Sequence, residues 1–150
     1  MIIREAKQED LQGVLDLYPY LSPDDIGIPQ ASSALDAMWA EILRDPKIHL
    51  IVCEADGALT ATCIVTIIPN LTRNLRRYAL VENVVADPHH RRKGYASAVM
   101  ERAKQIAIEN DCYKIMLSTS SKEDAILRFY ESIGYNQKDK TAFVQWLGDR

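Results

Sequence analysis

Glycine is scarce where a nucleotide-binding loop would need it: the chain has 6 glycines in 150 residues, and Gly94 is the only one between Gly57 and Gly134. Neither G-x-x-x-x-G-K-[ST] nor G-x-G-x-x-G occurs, so the two commonest phosphate loops are excluded. Cysteine is equally sparse. Cys53, Cys63 and Cys112 are odd in number and share no C-x-x-C spacing, which excludes a disulfide framework and reads as reduced, mostly buried thiols of a cytoplasmic protein. No apolar run approaches the ~20 residues of a membrane span, and the N-terminus carries no signal-peptide pattern. Of the 3 histidines, His89 and His90 are adjacent and point apart, so they make no i, i+4 metal pair and no metal is expected. There is no Ser/His/Asp constellation from which to argue a covalent nucleophile. The net charge of −3 disfavours a nucleic-acid binder. With no repeat, low-complexity tract or linker, residues 1–150 read as a single domain.

What is present is ordinary globular material, 47% hydrophobic and 26% charged, arranged in clear periods. Ile2 to Ala6 reads as a short strand. Leu11, Val14, Leu15 and Tyr18 recur at i, i+3, i+4 and i+7, an amphipathic helix ending before Pro19. A proline-containing loop to Ala31 precedes a second helix from about Ser33 to Arg44, with Leu35, Met38, Trp39 and Ile42 on one face. Ile48 to Glu54 and Leu59 to Ile67 are β-rich runs joined by Asp56-Gly57, a hairpin signal. Pro69 to Arg77 is a basic loop, and Leu80 to Ala86 the next strand. The following helix carries Ala96, Val99, Met100, Ala103, Ile106 and Ala107 as its apolar stripe, with Asn110 as its cap. Lys114 to Thr119 reads as a buried strand. Ser120 and Glu123 have capping-box spacing for a helix with Ala125, Ile126, Phe129 and Ile133 inward, which Gly134 ends. Thr141 to Leu147 is a last expected strand.

The most informative stretch is Pro88-His-His-Arg-Arg-Lys-Gly-Tyr-Ala-Ser97. A strand delivers a basic, glycine-centred turn to the N-terminus of a helix. The first backbone N–H groups of a helix have no internal acceptor and its dipole favours an anion there. Gly94 permits close approach, and Arg91, Arg92 and Lys93 add positive charge.

Arg91-x-x-Gly94-x-Ala96 resembles the R/Q-x-x-G-x-G/A signature of the GNAT superfamily of acyl-CoA-dependent N-acyltransferases. Ile3-Arg4-x-Ala6 with Asp10 resembles that family's opening strand and first helix, Asp56-Gly57 its hairpin, and Phe129-Tyr130-Glu131-x-x-Gly134-Tyr135 its closing helix. The order β-α-α-β-β-β-α-β-α-β fits the family's α/β (α+β) fold, a mixed twisted sheet flanked by helices. The resemblance implies acetyl-CoA as substrate, its pyrophosphate on the backbone of Arg92, Lys93, Gly94, Tyr95, Ala96 and Ser97. Its pantetheine arm would run along Val84, Val85 and Ala86, with a backbone N–H at or near Val85 for the oxyanion.

For the chemistry, Tyr130 is the candidate general acid, since a phenol is protonated at neutral pH and can donate to a departing thiolate. Glu82 and Asn83 stand on the apolar central strand, one on each face. A carboxylate there is costly unless paired, so Glu82 is either a base or amine-binding group or the ion-pair partner of Arg73, Arg76 or Arg77. Glu82-Asn83-Val84-Val85 and Cys112-Tyr113-Lys114-Ile115 are similar to segments of glucosamine-6-phosphate N-acetyltransferases, with Asn83 in place of an aspartate. The asparagine often found before the last helix is missing at Ser121 to Glu123, and Ala61 replaces a common glycine. The expected partners are acetyl-CoA and an amine of a small molecule, with no nucleic acid and no membrane, and a homodimer is allowed. A peptide amine as acceptor, and a CoA-binding module without turnover, are the alternatives.

Overall fold

The computed structural model describes residues 1–21, 27–90 and 92–148. They form two compact units, Met1–Leu117 and Ser118–Arg150.

The first unit is built on one sheet of five strands in the order β1-β2-β3-β4-β5. These are β1 (Ile2–Glu5), β2 (Ile48–Ala55), β3 (Ala58–Ile68), β4 (Arg77–Ala86) and β5 (Cys112–Leu117). The first four are mutually antiparallel, while β5 joins β4 in parallel. The β2–β3 hairpin closes on Asp56 and Gly57 with φ of 54° and 79°. Two successive left-handed residues match the right-handed twist of the flanking strands, and Asp followed by Gly tolerates them.

Helices cover both faces of the sheet: α1 (Leu11–Leu17), α2 (Ser33–Arg44) and α4 (Tyr95–Glu109), while α3 (Thr72–Leu75) is a single exposed turn with left-handed φ at Arg73, Asn74 and Leu75. On one face Val14, Trp39, Leu50 and Val52 form a buried cluster flanked by Leu11, Tyr18, Ile42, Leu59 and Ile64. The Trp39 indole donates to the Gln8 carbonyl at 3.2 Å. Against the other face α4 lays Val99, Met100, Ala103 and Ile106, all buried together with Ile51, Cys63, Val65 and Val81. Each such aliphatic side chain contributes about 1.5–3 kcal/mol when fully buried. The Cys63 thiol reaches the Val99 carbonyl at 3.6 Å, and burial pushes it up to about 12. Met38, expected inward on α2, is 54% exposed.

The opening motif is held by charge. Arg4 grips Asp10 through two hydrogen bonds of 2.6 and 3.0 Å and reaches Glu54 at 2.9 Å. The guanidinium beside it holds the Asp10 carboxyl below the usual aspartate range.

The second unit carries α5 (Asp124–Ser132). Helix α5 begins later than the Ser120/Glu123 pattern suggests. Ser121 Oγ accepts the Glu123 N–H at 3.2 Å, Glu123 is the N-cap, and no side-chain cap bond forms. Gly134, at φ 97°, ends the helix, the Tyr135 N–H returning to the Tyr130 carbonyl and the Gly134 N–H to the Glu131 carbonyl. That is the paired 6→1 and 5→2 closure for which glycine is suited. Ala125 and Ile126 are exposed, and Phe129 and Ile133 only half-buried. Residues 141–147 are not a strand, and Phe143 and Leu147 are 94% and 93% exposed. An alternating apolar pattern makes a strand only where a neighbour supplies hydrogen bonds. Among the described residues no helix is long and apolar enough to cross a membrane.

Candidate active site

Strand β4 changes character halfway. Its pairing with β5 ends at Val81 opposite Leu117, so Glu82 to Ala86 face no strand on that edge among the described residues. On the other edge the register slips: Ile64 and Thr62 of β3 oppose Glu82 and Val85, so β4 spends one residue more than its partner. The slip is a β-bulge, and Asn83 at φ 52° is its left-handed member. Asparagine is among the few residues that tolerate this region.

Strict alternation puts Glu82 and Asn83 on opposite faces, and the extra residue breaks the period of two between Glu82 and Val85. Glu82 and Asn83 are both exposed, while Val85, on the Glu82 side of the ladder, is 4% exposed. Val84 and Ala86 are half-buried.

Beyond Ala86 the chain is fastened by Asp87. Its backbone N–H donates to Thr60, one carboxylate oxygen accepts the His89 N–H at 2.8 Å, and the other lies 3.0 Å from His90 Nδ1. The His89 N–H and then the His90 ring hold this carboxyl below the usual range. His89 and His90 are therefore turn residues, as expected. Arg91 lies outside the described residues. Arg92 and Gly94 both have left-handed φ, 62° and 79°, and Arg92, Lys93 and Gly94 are exposed.

Gly94 is the N-cap of α4 and no side chain caps this helix. The first helical bond runs from the Ala98 N–H to the Gly94 carbonyl at 2.9 Å, which leaves the N–H groups of Tyr95, Ala96 and Ser97 without an intrahelical acceptor. A Cβ built on Gly94 would meet nothing within 4 Å. Among the described residues the helix end is thus open, without a side-chain cap and preceded by Arg92 and Lys93, an arrangement that suits an anion.

Glu82 has no ion pair or side-chain hydrogen bond among the described residues, and burial pushes its carboxyl above the ordinary glutamate value. None of the three loop arginines pairs with it. Arg76 reaches Asp111 at 3.0 Å and the Cys112 carbonyl at 3.2 Å, and Arg73 lies 5.5 Å over the Tyr113 ring. Sequence reasoning missed one neighbour of the site: the 3-10 turn Tyr18–Tyr20 that follows α1 packs near β4.

Residues 14–135 match the model of the Acetyltransferase (GNAT) family. The chain belongs to the GNAT family of acetyltransferases. It is 28% identical over 140 residues to a glucosamine 6-phosphate N-acetyltransferase of Trypanosoma brucei brucei, covering 92% of this chain and 90% of that protein. It superimposes on a candidate acetyltransferase of Agrobacterium tumefaciens strain C58 with a TM-score of 0.88 at 35% identity, over 97% of this chain and 100% of that one. The fold is also that of the glucosamine-6-phosphate N-acetyltransferase of Arabidopsis thaliana, TM-score 0.83 at 24% identity over 99% and 98% of the two chains.

As a GNAT acetyltransferase the chain is an acyltransferase, and acetyl-CoA is the family's donor. In the second unit Tyr130 is half-buried on α5, its ring 5.2 Å from that of Phe129 and 6.2 Å, nearly perpendicular, from that of Tyr135. These aromatic contacts fix the ring. Among the described residues no group of three His, Cys, Asp or Glu side chains could hold a metal ion.

Proposed function

We propose that this GNAT acetyltransferase moves an acetyl group from acetyl-CoA to the primary amine of a small molecule by direct attack in a ternary complex. One observation carries the reading: among the described residues β4 is bulged and unpaired on its β5 edge over Glu82 to Ala86, and the next helix in the chain, α4, begins at Gly94 with no side-chain cap. An edge with free backbone groups recognises the amide-bearing arm of the carrier as it would a strand, and the helix end takes the diphosphate.

Bound acetyl-CoA supplies an acetyl thioester, activated toward nitrogen. The residues supply the rest. Glu82, unpaired and with its carboxyl raised by burial, accepts the proton that the attacking amine must lose. A backbone N–H at Val85 or beside it donates to the oxygen on which charge develops. As the C–N bond forms and the C–S bond breaks, the Tyr130 hydroxyl donates a proton to the departing thiolate. Asn83 stands at the bulge where donor and acceptor would meet. The three free thiols, Cys53, Cys63 and Cys112, support a reducing, cytoplasmic setting.

The similarity to the trypanosomal enzyme over nearly the whole of both chains supports a small-molecule acceptor and makes glucosamine 6-phosphate the first amine to try. Release of free thiol from acetyl-CoA, measured across a panel of amines that includes it, is expected to depend on the amine. Tyr130→Phe should then lower kcat at least about tenfold, since general acids contribute ~10²–10⁴-fold, with acetyl-CoA binding unchanged. Binding of acetyl-CoA without thiol release for any amine or N-terminal peptide would instead identify a binding module.

A further inference from the structure

Asp87 ties three pieces of chain together. Its backbone N–H donates to the Thr60 carbonyl of β3 at 2.9 Å, and its own carbonyl accepts the His90 N–H at 3.0 Å. One carboxylate oxygen accepts the His89 N–H, and the other faces His90 Nδ1 at 3.0 Å. An ionised carboxylate can only accept, so Nδ1 carries a hydrogen, and Nε2 is the nitrogen that gains or loses a second proton. The His90 ring lies 6.2 Å from the ring of Tyr95, the first residue of α4. The His89 ring instead stands edge to face with Tyr20 at 6.3 Å. Both members of the Asp87–His90 pair are partly covered, at 20% and 29% exposure. One imidazole is thus fastened to the end of β4 and set beside the first turn of α4, whose leading N–H groups have no intrahelical acceptor.

We infer that His90 couples donor binding to pH: held by Asp87 beside Tyr95, its Nε2 takes a proton from solvent as the diphosphate settles on α4, so the donor is held more tightly below neutral pH than above it. The inference rests on the function proposed above and adds a proton to its donor site. Charge is the reason. The diphosphate brings negative charge to the helix end, and histidine is the side chain whose charge ordinarily changes between pH 5 and 8. The titratable and charged groups around the pair are His89 of the same turn, Tyr95 of α4, and Arg92 and Lys93 ahead of it. Across the cleft that Asp87 lines stand Lys7, Glu9, Asp16, Tyr20 and the Arg4–Asp10–Glu54 cluster. Carboxylates, phenols, ammonium and guanidinium groups ordinarily titrate outside pH 6–8. That leaves the two imidazoles, and of these only His90 is joined through its ring to the carboxylate of Asp87.

Calorimetric titration of the full chain with dephospho-CoA reads this directly. That probe carries the diphosphate without a phosphate monoester, whose own proton is lost near about pH 6. Titrations in buffers of different ionisation heat count the protons taken up on binding. The wild-type chain is expected to take up a fraction of a proton at neutral pH and to lose about threefold to tenfold in affinity from about pH 6 to about pH 8, the effect of one linked proton. His90→Gln keeps an N–H donor for Asp87 and holds no titrating proton, so both the uptake and the fall in affinity should shrink to less than about half. Glu82, whose carboxyl burial also raises, is present in both chains and cancels from that difference. His89→Gln should behave as wild type. Asp87→Asn keeps an acceptor for the His89 N–H and loses the charge; it should reduce the uptake too, and it reaches the same pair should His90→Gln fold poorly. Wild-type binding without proton uptake, uptake undiminished in His90→Gln, or uptake lost equally in His89→Gln overturns the inference. So does a chain that binds acetyl-CoA but not dephospho-CoA, because the diphosphate would then not be what holds the donor. A wild-type chain that binds neither ligand at any pH overturns the proposed function itself.

Discussion

From Arg77 to Val81, β4 is laddered on both edges, to β3 and to β5, and Ala79 and Val81 are sealed at 0% and 1% exposure. From Glu82 to Ala86 the same strand is laddered on one edge only, carries a left-handed residue, and shows a carboxylate and an amide to solvent. The first half satisfies its backbone inside the protein and buries its side chains. The second half leaves backbone groups over and supports a residue in a strained conformation. Regular pairing and complete burial belong to the fold; unspent hydrogen-bonding groups and strain belong to the site, because a ligand can use only what the fold has not used.

The sharpest way to break this division is to cut the core half. Val81→Ala removes two buried carbons, at about 0.8 kcal/mol each, and leaves a cavity, so unfolding free energy should fall by about 2 kcal/mol. Affinity for acetyl-CoA should stay within about twofold. Denaturant titration and calorimetry on the same variant measure both. A loss of affinity larger than the loss of stability would mean that the two halves act as one.

Gly94→Val tests the opposite side of the comparison. A Cβ there meets no atom of the described residues beyond its chain neighbours within 4 Å, so the substitution's main cost is the strain of a branched residue at φ 79°, and it occupies the space proposed for the ligand. Acetyl-CoA binding should weaken at least about tenfold, or about 1.4 kcal/mol, while thermal unfolding remains cooperative. Wild-type affinity in this variant would remove the α4 N-terminus from the site.

The two halves also differ in how far they can be read from the sequence. Local signals survive folding: Asp56-Gly57 turns the hairpin, Gly94 opens α4, Gly134 closes α5, and the stripe from Val99 to Ile106 is buried. Each needs only its near neighbours to act. The bulge does not show in Leu80 to Ala86, because it is a mismatch between two strands and neither sequence alone records it. The Arg76–Asp111 pair joins residues far apart in the chain, so periodicity and turn chemistry carry no trace of it. Residues 141–147 teach the converse. Phe143, Val144 and Leu147 have the composition of a strand, yet composition names no partner, and the segment is exposed. The candidate donors at α4 were legible because phosphate recognition by a helix end is a local property; the bulge beside Glu82 and Asn83 was not.

A smaller effect is expected from Arg76→Ala, at the start of the core half. Arg76 pairs with Asp111 and bonds the Cys112 carbonyl, tying β4's approach to the start of β5. Both side chains of the pair are largely exposed, at 46% and 68%, and exposed pairs contribute about 0.2–1 kcal/mol. Stability should fall within that range, and by less at high salt, where such pairs are screened. A cation that is spent on a structural pair has little left for an acceptor, so KM for the amine should not change. A marked rise in KM at unchanged stability would return Arg76 to the acceptor site.

Glu82→Gln gives the smallest change in stability, and its sign separates the halves. Burial raises the Glu82 carboxyl above the ordinary glutamate value, so the folded protein holds this proton more tightly than the unfolded chain does. Between the ordinary value and the raised one the native state binds more protons, and stability falls as pH rises through that window. Above it the ionised carboxylate is a constant burden on the fold; below the ordinary value it is protonated in both states and costs nothing. Glutamine, uncharged at every pH, should therefore stabilise the protein at pH 7 by no more than about 0.5 kcal/mol, the usual range for a surface position, and the gain should vanish in acid. Activity should move the other way at neutral pH, since the group that burdens the fold is the one proposed to take the amine's proton. Thermal unfolding of both forms at pH 7 and in acid decides it. A Gln variant less stable than wild type at pH 7 would mean that Glu82 is held by a favourable contact in the fold, and the base would have to be sought elsewhere.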